Sequence, residues 1–517
     1  MARVIYTDEM EEGVALSADD ASWIYNGLDC CVTFEILNAI KPQLDSTTAA
    51  TYSQSLAKQA PVLDMKMRGL LVEDETKQRK IKLFEKQLRQ IEDQLNFITE
   101  GVWGFKINPR SPAQVGQLLY GTMQLPVIRK RDAKGAMRPT TGREALERLR
   151  YNMLAEPICN HLLKARDLSK ALGFLRTSID PDGRMRTSFN IAGTNTGRLS
   201  SSMSDYGSGT NLQNVSRDLR ECFVADSGMI FVNIDLEQAD SRNVGAICWN
   251  LFLESHGPEF AGAYLDACES GDLHTTVCRM AWTNLDWSED PVKWRSLADE
   301  IAYRDMSYRD LAKRLGHGTN YYGQPPTMAK HTKVDRGQVE IFQHNYFHAF
   351  PCIKAWHDWV IREIKEVGYL KTLMGRRRYF FGRHNDDATI REAIAYAPQG
   401  STAEEIDEGY LRVWRKYPQV QLLVQVHDSI LFQVPFLEAR DLIPEILETM
   451  KVELELEGGR KFHVPLEAKV GWNWGDARMK DGKIVDNHYG LVKWKGTESR
   501  TPPTRSMLRK RNTIWNK

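Results

Sequence analysis

The chain has 517 residues, 42% of them hydrophobic, and its 69 Lys and Arg nearly balance 68 Asp and Glu, for a net charge of +1. That length exceeds what one hydrophobic core usually organises, and no run approaches the roughly 18 consecutive apolar residues of a membrane helix, so a soluble multidomain protein without a signal peptide is expected. The eight cysteines include no CxxC pair, which disfavours a zinc site or a disulfide framework and points to a reducing, cytoplasmic setting.

Net charge does not decide whether the partner is a nucleic acid; clustering does. Arg129, Lys130, Arg131, Lys134 and Arg138 share one Pro/Gly-flanked stretch, Arg376, Arg377 and Arg378 are consecutive, and the tail carries LRKR at 508–511. Each run taken alone is more often solvated surface than a binding site.

In chain order, residues 20–40 read as a helix with an apolar face that Pro42 ends. A second helical block spans 49–100, broken near 68–74 by Gly69, and Ser111 and Pro112 start an amphipathic helix after the turn at 106–110. The segment to about residue 170 is therefore mostly helical. Strands follow in RMRTSFNIAG and in MIFVNID, the latter a continuous apolar run ending on Asp235. Residues 250–370 return to helix, 418–434 to strand, and the basic, Pro-containing tail from 481 has the composition of a disordered segment.

Three segments carry chemistry. Asp428 sits at a tight turn between the apolar runs LLVQV and ILFQV. If its sheet also holds the 229–235 strand, two acids nearly two hundred residues apart meet at one edge, and such a pair repels unless protonated or bridged by a cation such as magnesium. Asp is also a common hairpin-turn residue, and spacing alone leaves both readings open. In YRDLAKRLGHGTNYYG, Arg309, Lys313, His317 and Tyr321 fall at steps of four and form one helical stripe of roughly 18 Å. It is cationic at its start and aromatic at its end, which suits a polyphosphate joined to a flat base; an ordinary charged surface helix is the alternative. Gly316 and Gly318 weaken that helix, as expected where bulk must be absent beside a ligand. The third segment, GTNTGRLSSSMSDYGSGTNLQN at 193–214, has loop composition with Arg198, Asn211 and Gln213 as donors suited to the degenerate minor groove; a plain surface loop is the alternative.

Together these segments resemble the family A DNA polymerases, the DNA polymerase I family, over roughly residues 50 to 475. DLEQADSR at 235–242 is similar to the first palm motif, the 309–321 stripe to the fingers helix, and VHDS at 426–429 to the second palm motif. TGRLSS, NLQN, DLHT at 272–275, GRRR at 375–378, APQGSTAEEI at 397–406 and GWNWGD at 471–476 follow in family order. The resemblance implies an α+β, multidomain right-hand polymerase fold, with an antiparallel palm sheet and helical fingers. It implies an exonuclease-domain remnant at 1–48, a thumb at 49–170, palm at 171–250 and 386–480, fingers at 251–385 and a basic tail at 481–517. It further implies that Asp235, Asp428 and the Leu236 carbonyl hold two magnesium ions, and that Arg309 and Lys313, with His274 and Gln238 nearby, bind the dNTP triphosphate. Lys313 would also protonate the leaving group. His317, Tyr321 and Asp240 would line the nucleotide pocket, and Arg198, Asn211, Gln213, Arg391, Gln399 and His427 would contact primer-template DNA.

The sequence departs from the family pattern in four places. Asp240 replaces the Glu that excludes a ribose 2′-hydroxyl, His317 replaces Phe or Tyr, Ser429 replaces a third acid, and Tyr322 stands where Gly normally follows the fingers Tyr. At the N-terminus, YNGLD places Tyr25 and Asp29 at the spacing of the third motif of the 3′-5′ exonuclease domain, with too few residues before it for that domain's other acids. No proofreading in cis is expected: either the chain is truncated, or the nuclease comes from a separate exonuclease or other replication protein. The tail's basic residues are expected to bind DNA or a partner, with a disordered end as the alternative. The size and the departures resemble phage members of the family, which would place the chain in a host cytoplasm. A single-subunit RNA polymerase and a catalytically silent DNA-binding subunit are the competing readings; retention of both palm acids disfavours the latter.

Overall fold

The structure, a computed structural model, describes residues 17–132, 135–303, 306–480 and 482–502. Lys134 and the LRKR run at 508–511 lie outside the described residues. The chain divides into two compact units. One comprises the described residues up to Gln59 with Asp240–Glu404 and Glu455–Arg460; the other comprises Ala60–Ala239, Glu405–Leu454 and the described residues from Lys461.

The second unit is built on a five-stranded antiparallel sheet. Its strands are β1 (Met229–Leu236), β2 (Gln421–Val426), β3 (Ser429–Pro435), β4 (Leu466–Gly471) and β5 (Val492–Lys493), in the order β2-β3-β1-β4-β5. β1 is central, and Ile230, Phe231, Val232 and Ile234 are buried on alternate sides, so it needs apolar residues on both faces. Phe231, Leu431 and Val424 pack with Leu70, Leu212 and Trp474 in one core. In the same unit, the helix Asp74–Trp103 presents Leu88, Ile91 and Leu95 at helical spacing to Leu162, Ala165 and Leu172 of the helix Glu156–Leu175. Ser111 caps the short helix Pro112–Gly116, as its sequence predicts, while Arg129–Arg131 and Met137–Pro139 pair as an exposed basic hairpin.

Two expectations are corrected in this unit. Within 193–214, Ser200–Met203 is a strand paired with Thr187–Asn190, so a segment of loop composition is half of a hairpin. The tail from 481 is not disordered over its described part: Lys483–Asp486 pairs with Arg478–Lys480, and β5 extends the main sheet. Arg500 anchors it, donating to the carbonyls of His488, Gly490 and Val470 and pairing with Glu498 at 2.6 Å.

The first unit is helical. Tyr264, Tyr346, Phe350 and Trp356 form the centre of its core, against which the helices Leu273–Ala281, Tyr308–Asn320, Arg336–Ala349 and Pro351–Glu366 pack. The helix Ala18–Ile40 forms where expected, but none of its residues is buried: Trp23, Tyr25 and Phe34 are exposed, so its apolar face covers no core. No described helix is long and apolar enough to cross a membrane.

Candidate active site

β2 and β3 are joined by only His427 and Asp428, since Val426 and Ser429 are already cross-strand partners. A two-residue turn of this kind needs a left-handed residue, and His427 takes that role at φ +56°. Asp428 therefore stands at a hairpin tip, which answers how a carboxylate interrupts an apolar run. Across the sheet, Ser429 is the partner of Asp235, and the Leu236 N–H donates to the Asp428 carbonyl at 3.1 Å. The strand bearing one acid is thus bonded to the turn bearing the other.

The electrostatics match that proximity. Loss of hydration, then the Asp428 charge, push the Asp235 carboxyl up to about 7, even though its side chain still reaches solvent. Two hard oxygen donors held against their own repulsion fit a divalent cation such as magnesium, which takes one or two carboxylates and completes its shell with water and phosphate. Among the described residues no group of three or more His, Cys, Asp or Glu side chains is arranged to hold a metal, so backbone and substrate oxygens would supply the rest. One acid that sequence reasoning missed lies on the other side: Glu467 of β4 is the cross-strand partner of Asp235, and it pairs with Lys493 of β5 at 2.8 Å. Its place depends on the register of β4, which no local sequence signal gives. Gln238 follows β1 at φ +55°.

In the helical unit, Ser307 caps the helix Tyr308–Asn320, and Leu311, Ala312, Leu315, Gly316 and Thr319 face the core. Lys313 and His317 are exposed on the opposite side and Arg309 is half-buried, while Tyr321 sits at the C-cap with its ring 4.8 Å from that of His317. The glycines serve packing, not ligand access: a Cβ on Gly316 would stand 3.4 Å from the Tyr346 ring, and one on Gly318 would stand 2.9 Å from Met328. The two tyrosines separate. Tyr321 donates its hydroxyl to Asp240 at 2.8 Å, and Thr402 donates to the other Asp240 oxygen at 2.9 Å. Tyr322, at φ +61°, turns its ring edge-on to buried His357; the positive φ explains why glycine suits that position.

Arg309 is held bidentately by Asp272, both contacts 3.0 Å, with Arg295 also 3.0 Å from that carboxylate. Burial opposes its ionisation, yet the hydrogen bonds from Arg309 and Thr275 keep the Asp272 carboxyl well below the usual range. Burial, then the charges of Arg309 and Lys313, lower His274 to about 4, so it is neutral at physiological pH.

Other expected donors turn inward. Asn211 exchanges hydrogen bonds with Ser201, at 2.6 and 2.7 Å, and Gln213 donates to Leu199 and Gln425. Both carboxamides thus have partners within the protein, Asn211 in the hairpin strand Ser200–Met203 and Gln213 at Leu199 and Gln425. Arg198 is half-buried with its carbonyl accepting from Thr194; Arg391 is exposed and Gln399 half-buried on the helix Asp387–Lys416; His427 is exposed at its turn.

The fold has known counterparts. It is similar to the polymerase domain of Pol1 from M. smegmatis, solved in complex with a DNA primer-template and dNTP, with a TM-score of 0.66 at 25% identity over 81% of this chain and 70% of that one. The α+β architecture is accordingly that of a polymerase domain. The family model for DNA polymerase family A matches residues 74–476, and the chain belongs to that family. It is 28% identical to the thermostable DNA polymerase I of Thermus filiformis over 76% of this chain, and 27% identical to DNA polymerase I of Caldicellulosiruptor bescii over 81%. The chain spans less than half the length of these curated relatives, 44% and 46% respectively.

Proposed function

We propose that this chain is a DNA-templated DNA polymerase that extends a primer 3′-hydroxyl with deoxynucleoside triphosphates and releases pyrophosphate. The observation that carries the reading is the junction of β1 with the β2–β3 turn, which sets Asp235 beside Asp428. These acids, with the Leu236 carbonyl, would hold two magnesium ions, which when bound acidify the primer hydroxyl and offset charge on the phosphates.

The chain's own residues do the rest. Arg309 and Lys313 bind the triphosphate, with His274 and Gln238 as further triphosphate contacts, and Lys313 gives its proton to the pyrophosphate as the bond from the α-phosphorus breaks. Tyr321 and His317 offer rings to the nascent pair, and Asp240 with Tyr321 walls the sugar. Arg198, Arg391, Gln399 and His427 contact the primer-template. In domain terms the thumb is 49–170, the palm 171–250 and 386–480, and the fingers 251–385. Asp29 is exposed on the helix Ala18–Ile40, and one solvated carboxylate holds a catalytic metal poorly, so residues 17–48 are expected not to excise. The setting is intracellular and phage-like.

Primer extension with four deoxynucleotides tests the reading. Asp428→Ala abolishes extension; full activity in that variant refutes the assignment. The same assay on a mismatched 3′ end reports excision, which is expected to be absent.

A further inference from the structure

The turn that presents Asp428 is not held by its strands alone. Gln425, only 1% exposed, reaches past Val426 and donates its carboxamide N–H to the His427 carbonyl. That carbonyl belongs to the one left-handed residue of the hairpin tip, at φ +56°, where a non-glycine backbone is strained and persists only when its surroundings fix it. The Gln425 oxygen is in turn fixed by Gln213, whose Nε2 lies 3.1 Å from it, 3.1 Å from the Gln425 backbone carbonyl and 3.2 Å from the carbonyl of Leu199. On the far side, Ser429 donates its hydroxyl to the Val426 carbonyl at 3.0 Å.

We infer that Gln425 and Gln213 are positioning residues for Asp428. Gln425 sets the His427 peptide, and Gln213 ties that peptide to the segment Leu199–Gln213. The inference rests on the polymerase reading. A carboxamide is the side chain this chain of bonds requires at both positions, because each donates to a carbonyl and Gln425 must also accept. Methionine keeps the length and most of the volume while removing the bonds, and the His427 carbonyl left without this donor favours a shifted turn.

A misplacement of about 1 Å at a catalytic group costs up to about 100-fold in rate. Gln425→Met is therefore expected to lower kcat between about 10- and 100-fold, with KM for dNTP changed less than about 3-fold, and to raise the magnesium concentration giving half-maximal rate. Gln213→Met gives a smaller loss in the same direction. The double variant is no slower than Gln425→Met alone, because both substitutions break one chain of bonds. Wild-type extension and its loss in Asp428→Ala, measured alongside, test the polymerase reading itself. With those two results in hand, an unchanged kcat in Gln425→Met, or losses that multiply in the double variant, overturns the inference. Should Gln425→Met fail to fold, Gln213→Met decides: unchanged kcat and magnesium requirement overturn it.

Discussion

Tyr321 donates its hydroxyl to Asp240 at 2.8 Å, so the aromatic end of the stripe and the acid that opens the helix Ala239–His256 form one surface. Both Asp240 oxygens are engaged, the second by Thr402. On the proposed function, a sugar hydroxyl arriving there would meet a carboxylate already held in place by Tyr321 and Thr402. Asp240→Ala removes that wall, and the ratio of ribonucleotide to deoxynucleotide incorporation is expected to rise about 10-fold or more. Tyr321→Phe keeps the ring and loses the bond, so its rise is smaller. Steady-state kcat/KM for matched ribo- and deoxynucleotides measures both; a ratio unchanged within twofold in Asp240→Ala removes Asp240 from sugar selection.

Arg309 is the half-buried cation of the stripe, and Asp272 already occupies it with the geometry a phosphate would use. The same carboxylate accepts from Arg295, so one negative charge offsets two positive ones. Arg309→Ala should raise KM for dNTP about 10- to 100-fold, the range for losing a hydrogen bond to a charged group. Asp272→Asn retains the helix cap while removing the competing charge, and a severalfold lower KM is expected. A higher KM in Asp272→Asn would mean that the acid orients Arg309 more than it competes for it.

The raised Asp235 carboxyl gives a pH dependence of definite sign. In the metal-free protein it titrates near 7, against an ordinary aspartate near 3.8. Between those values the folded state holds a proton that the unfolded state has released, so stability from this group is present at low pH and lost as pH rises through 7. Asp235→Asn therefore raises the thermal midpoint of the metal-free protein at pH 8, and does so less at pH 5. Magnesium held by the two acids, as proposed, would relieve the same repulsion, so its stabilising shift is expected at pH 8, to fade below pH 7, and to be lost in Asp235→Asn. Thermal melts at the two pH values, with and without magnesium, check all three; an Asp235→Asn effect larger at pH 5 reverses the sign and removes the coupling.

Why the acids were legible and their surroundings were not follows from the range of the signals involved. Strand β1 and the β2–β3 hairpin are written locally, in apolar runs that end at Asp235 and break at Asp428, and antiparallel pairing then leaves few ways to arrange them. Glu467 depends on the register of β4, and a one-residue slip would send it to the other face. Gly316 and Gly318 looked like ligand clearance, but helical spacing cannot say whether a bare surface meets a substrate or Tyr346 and Met328. Ser200–Met203 has little strand propensity and pairs because Thr187–Asn190 lies beside it. The double role of Gln213 was invisible for the same reason: Gln425 is more than two hundred residues away.

The segment after 481 was misread because its polar composition hides one residue with several partners. Arg500 is buried to 16% of its exposure and pairs with Glu498 at 7%, while its guanidinium lies 5.2 Å from the Trp472 ring and reaches three backbone carbonyls. Removing the cation leaves a buried carboxylate and three acceptors without their donor, a change that costs about 3–5 kcal/mol when a buried pair is broken from one side. Arg500→Ala is thus expected to lower the thermal midpoint by several degrees while leaving KM for dNTP unchanged below the transition. Removing Glu498 as well recovers part of the loss, since the stranded charge goes with it. Calorimetry on the two single variants and the double variant measures this. A midpoint within about one degree of wild type in Arg500→Ala would mean that β5 and its pairing with β4, not the arginine, hold the extension on the sheet.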